Sequence, residues 1–168
     1  KILNRSAARF AMSVFQRRLA SSTFAILRSL QRRNEKLEDL IDQIRSGTLT
    51  EDDLIARQRH LDASDFEEMD AATADEEESR SGLEQTEQMI DEALGGVVAV
   101  SLAELMIERE QVQALVGLAQ RVYDRGEEAK FEALRTILRD PRYQDEKILI
   151  FTEHKDTLDF LAADGKDG

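Results

Sequence analysis

The chain has 168 residues, the size of one domain, with 41% hydrophobic, 35% charged and 5% aromatic residues, a composition typical of long helices. It has no cysteine, which excludes a disulfide framework and a cysteine-based zinc site and suits a reducing, cytoplasmic setting. No apolar run nears the roughly 20 residues of a membrane span, and residues 1–30 are amphipathic, unlike a signal peptide.

The net charge of −12 conceals three blocks. Residues 1–61 carry 12 basic and 7 acidic side chains, residues 62–104 carry 1 and 14, and residues 105–168 carry 10 and 14. The acidity therefore sits in the middle. Four segments follow from this and from the periodicity: a basic helical segment 1–61, an acidic connector 62–100, a helical segment 101–145, and a strand-plus-helix piece 146–168. The first residue is Lys1, and the chain reads as a piece of a longer polypeptide.

Ala7, Phe10, Ala11, Val14, Phe15 and Leu19 recur at helical spacing and predict a helix over 6–20 with one apolar stripe. Ser21, Ser22 and Thr23 then favour a break and a new helix start, because their side chains compete with the backbone for hydrogen bonds. The next helix runs to about Arg45. Its Leu27, Leu30, Asn34, Leu37, Ile41 and Ile44 alternate by three and four residues, a heptad-like seam with Asn34 at an a-like position. Such a seam can pair two copies of the chain, with Asn34 setting register, or pack inside one bundle. It covers under three heptads, which favours the bundle. Gly47 fits the left-handed position that closes the helix.

Thr50 and Asp53 form a capping box for a short helix over about 51–61. Residues 62–80 are crowded with like charge and offer little to bury, as expected of a solvated connector. Leu83, Met89, Ile90 and Leu94 predict a helix ending at Gly95, followed by a short buried piece, "VVAV", at 97–100. Ser101 and Glu104 form a second capping box before a long helix that stops near Gly126. A helix over 127–139 cannot continue through Pro141. Ile148, Leu149, Ile150 and Phe151 predict a strand over 147–152, and a last helix spans about Lys155–Ala163. The fold class is mainly α, an elongated bundle or helical hairpin with a single strand. A lone strand leaves its backbone groups unpaired and invites association, so a homo-oligomer is expected through this run or the α-helical seam.

Standard catalytic patterns are missing from the sequence. It contains neither phosphate-binding glycine signature, and its two histidines, His60 and His154, have no metal-ligand spacing. No residue is expected to catalyse a reaction or hold a metal or cofactor. The arginines Arg17, Arg18, Arg32 and Arg33 suit contacts to a phosphate backbone, or pairing with nearby carboxylates on helix faces.

The stretches "QRRLASSTFAILRSLQRR" at 16–33 and "AKFEALRTILRD…DEKILIFTEHKDTLDFL" at 129–161 resemble Swi/Snf-type superfamily 2 helicases, closest to the bacterial HepA/RapA-like branch. The resemblance covers both ends of the chain and leaves 47–100 unmatched. It implies that Ile148–Glu153 is the motif IV strand opening a second α/β RecA-like domain, truncated here. It adds Thr152, His154 and Lys155 to the nucleic-acid candidates. It also implies ATP and magnesium for the parent protein at motifs outside this chain, with duplex nucleic acid as the partner. The chain itself would then be a linker between two motor lobes. A helical protein-interaction module without nucleic-acid binding is the alternative.

Overall fold

The computed structural model describes residues 5–60, 99, 101–126, 128–152 and 154–164. The expected break between the first two helices falls on one residue. Helix α1 spans Arg5–Ser21 and α2 spans Thr23–Arg45. Between them Ser22 is extended at φ −157° and ψ 156°, and its Oγ accepts from the amide of Ala25 at 3.0 Å. A serine at this position satisfies one of the amides that a new helix start leaves open.

Helix α2 ends as Gly47 foretold. Gly47 has φ 74°, its amide donates to Ile44 O, and the Thr48 amide reaches Gln43 O at 2.9 Å. These two bonds make the closing turn that glycine allows without steric cost. The capping box of α3, Glu51–His60, is complete. Asp53 Oδ2 accepts from the Thr50 amide at 2.9 Å, and Thr50 Oγ1 accepts from the Asp53 amide at 3.2 Å. Helix α4, Leu102–Asp124, starts at Ser101, whose Oγ accepts from the Glu104 amide. The first amide of α4 donates to Glu51 Oε1 at 2.7 Å, so α3 supplies a carboxylate to the positive end of α4. Helix α5 spans Ala129–Leu138, Pro141–Tyr143 is a single 3-10 turn, and α6 spans Lys155–Asp164.

The architecture is a mainly α bundle organised around α2, which packs chiefly on α4 and also against α1 and α6. Helices α2 and α4 run antiparallel. Phe24 at the start of α2 meets Tyr123 at the end of α4, and Arg45 at the end of α2 reaches Met106 near the start of α4. The core joins Leu30, Leu37, Leu40 and Ile41 to Leu105 and Val112, with Leu49, Leu54 and Ala99 closing one end.

This arrangement seats the α2 seam inside the bundle, as its short length favoured, and corrects the alternative of a seam between copies. Leu27, Leu30, Leu37 and Ile41 are buried inside the chain, Ile44 packs on the core, and Asn34 is half-buried with its amide donating to Glu38. Ile26, Arg33 and Leu40 beside the seam are buried too. The covered stripe is therefore wider than a two-stranded seam needs, and it faces several helices of the same chain.

Residues 147–152 form no strand in the structure. Among the described residues no segment pairs with them. Their side chains still alternate as on a strand, Leu149 and Phe151 at 81% and 88% exposed and Ile148 and Ile150 at 40% and 45%. A strand requires a neighbour for its backbone groups, and composition alone does not provide one. The acidic connector at 62–80, the helix at 81–96, most of "VVAV", and the side chains of Ala7, Phe10, Ala11 and His60 lie outside the described residues.

Candidate functional site

The residues singled out for phosphate contact are engaged in the fold. Arg18 is 1% exposed, and its NH1 donates to Ser29 Oγ at 2.5 Å. Ser29 Oγ in turn donates to Ala25 O and accepts from Arg32 NH2 at 3.4 Å. Arg32 grips Asp156 with both terminal nitrogens, at 3.3 Å to Oδ1 and 2.9 Å to Oδ2. Arg33 is buried, and its Nε and NH2 both donate to Glu108 Oε1. Arg17 is half-buried and engaged as well.

The expected row of exposed arginines is thus corrected for Arg18, Arg32 and Arg33. A guanidinium taken out of water is tolerated only with carboxylate or hydroxyl partners. Here the partners lie on α2, α4 and α6, so these cations hold helices together.

Thr152, His154 and Lys155 form the approach to α6. Thr152 Oγ1 accepts from the His154 amide at 3.4 Å, and Lys155 Nζ donates to Asp159 Oδ2 at 2.7 Å. The structure does not bring these three onto the arginines. It brings their neighbours instead. Asp156 meets Arg32, and Thr157 Oγ1 lies 2.8 Å from Ser21 Oγ and 3.0 Å from Ser22 Oγ.

Two further groups close the break. The Glu128 carboxylate accepts from the amide of Thr23, the first residue of α2. The Lys130 ammonium donates to the carbonyl of Ala20, near the end of α1. One new helix start and one helix end are therefore satisfied by residues more than a hundred positions away. Around them Phe24, Tyr123, Phe131 and Phe160 gather from four helices, with Phe24 stacked on Phe160 at 5.8 Å and Phe131 edge-on to Phe160 at 5.1 Å.

Glu128, Asp156 and Thr157 were not found by sequence reasoning. The three hydroxyl residues at 21–23 announced that a break needed caps. Nothing local named residues distant in sequence as their source.

The hydroxyls of this cluster cap and bind one another, and no group of three or more His, Asp or Glu among the described residues could hold a metal ion. No described helix is long and apolar enough to cross a membrane. No family model, curated protein or solved structure matches the chain.

Proposed function

We propose that this chain is an inter-lobe helical linker of an ATP-dependent nucleic-acid translocase of the Swi/Snf type, and that it serves as a brace. One observation carries the reading. The two stretches that bear the resemblance, 16–33 and 129–161, dock on each other at the α1–α2 break through Ser22 and Thr157, Arg32 and Asp156, and Phe24 and Phe160. A linker that transmits motion between lobes needs its entry and exit segments held together, because a load passes only through ordered contacts.

The engagement of Arg18, Arg32 and Arg33 favours bracing over tracking of a phosphate backbone. ATP and magnesium chemistry would belong to the flanking motor domains, duplex nucleic acid would be bound by the whole motor, and the setting would be cytoplasmic. The exposed run Ile148–Phe151 would join the sheet of the second lobe. In the isolated chain it would drive self-association.

The test is ATP hydrolysis by the longer polypeptide that contains these residues, with and without duplex DNA or RNA. Hydrolysis that rises several-fold with duplex supports the reading. A polypeptide that hydrolyses no ATP, or is indifferent to nucleic acid, overturns it. A second reading, a helical interaction module, draws on the outer face of α4, where Ile107, Leu115 and Leu118 stand exposed. It predicts partner binding that is insensitive to salt, because it buries apolar surface.

A further inference from the structure

Residues 5–45 contain neither glycine nor proline, yet the helix breaks at one residue. The break is sharp. In an unbroken helix residues 18 and 29 would stand about 16 Å apart along the axis, too far for Arg18 to reach Ser29, which it does at 2.5 Å. The helical ladder is interrupted only at residues 23–25. Ser22 N still donates to Arg18 O at 3.1 Å, and Ile26 N to Ser22 O at 3.3 Å. Of the amides between, Thr23 and Ala25 are diverted from helical partners to Glu128 and Ser22 Oγ. The carbonyl of Ala20, which a continuous helix would bond to residue 24, accepts from Lys130. Straightening would exchange these side-chain bonds for helical ones, and would break Arg18–Ser29 and the α1–α2 packing.

We infer that Ser22 is a single-residue hinge with two states, bent when the segment from Glu128 to Phe160 is docked and straight when it leaves. The caps from Glu128, Lys130 and Thr157 act only on the bent state, so their departure shifts the balance toward continuous helix. Residues 141–150, which connect to α6, are all exposed, and the contacts of α6 with the break include the hydroxyl pairs, Arg32–Asp156 and Phe160. The inference goes beyond the translocase reading and stands on geometry if that reading fails.

The test uses the whole chain, which has no cysteine of its own. Spin labels at Met12→Cys on α1 and Glu35→Cys on α2 sit at exposed positions. In a continuous helix these positions would lie about 35 Å apart, and in the bent state they lie closer. Electron-electron distance measurement should give the short distance in the otherwise wild-type chain. Ser22→Ala and Glu128→Ala/Thr157→Ala should each raise the population of the longer distance, whereas Thr157→Ser should keep the short one. If the variants retain helical circular dichroism and the short distance, the bend is fixed and the inference fails. Should a variant not fold, the labelled parent in urea below its unfolding transition decides the matter. The longer distance should appear before helicity declines, and loss of both together would overturn the hinge.

Discussion

Arg33 of α2 donates through both Nε and NH2 to one carboxylate oxygen of Glu108 on α4, joining the two principal helices by a part-buried ion pair. Asn34 to Glu38, and Arg109 to Glu38 at 3.9 Å, extend this polar seam along the same interface. A pair of this kind contributes little net stability when intact, because desolvation offsets the attraction, but removing one member leaves the charge of the other less compensated.

Glu108→Ala should therefore destabilise the chain by about 1–3 kcal/mol, the scale of a lost charge-assisted bond, since Glu108 keeps some solvent contact. Arg33→Met/Glu108→Leu should lie within about 1 kcal/mol of the parent or exceed it. Urea unfolding of both variants decides this. A double variant as unstable as the single one would mean that the pair itself, and not the uncompensated charge left by the single change, matters.

Two glycines should respond in opposite directions. Gly47 has φ 74°, so Gly47→Ala should cost about 1–2 kcal/mol although nothing crowds the new methyl group. Gly117 lies inside α4, where an added Cβ meets only the Arg121 side chain at 3.6 Å, an ordinary contact. Gly117→Ala should stabilise by about 0.5–1 kcal/mol by lowering the entropy of the unfolded chain. Thermal melts of the pair measure both signs.

Asp140 caps the 3-10 turn, and its carboxylate accepts from the Arg142 side chain at 2.7 and 3.1 Å and from the Arg142 amide at 3.0 Å. The Arg142 side-chain hydrogen bonds hold the Asp140 pKa below its ordinary value of 3.8, with the backbone bond adding to them. A lowered folded pKa means that the contact's contribution is present above the ordinary value and is lost as pH falls through the lowered one. Arg142→Ala should bring the titration of Asp140 back up toward the ordinary value, as followed by carbon-detected NMR. An unmoved titration would place the cause elsewhere.

With the α2 seam closed inside the chain, the run Ile148–Phe151 is the surface expected to drive self-association. Leu149→Lys/Phe151→Lys should reduce concentration-dependent light scattering to that of a monomer. It should change unfolding free energy by no more than about 0.5 kcal/mol, as is usual for exposed positions. A monomeric parent at high concentration would contradict the expectation.

Among the described residues, helix existence, order and punctuation were legible in the sequence because their causes are local. Ser22, Gly47, Thr50, Ser101 and Pro141 each act within a few residues of themselves, through caps, a left-handed turn or a missing amide. The apolar stripe of α2 was equally plain. What it faced was not, since a stripe of this spacing suits another chain or another helix of the same one. The arginines were visible as charges but not as partners. Asp156 reaches Arg32 across 124 positions and Glu108 reaches Arg33 across 75.

The sequence by itself determined a mainly α chain with a break at residues 21–23, an acidic middle, and an apolar run near its end without a visible sheet. Only the tertiary structure decided that the α2 seam is filled by α4, that the basic side chains serve as struts, and that Glu128, Lys130 and Thr157 hold the break bent. Propensity and capping are set by neighbours along the chain. Burial, ion pairing and the supply of distant caps depend on which surfaces meet in space, and that is settled by the packing of the whole.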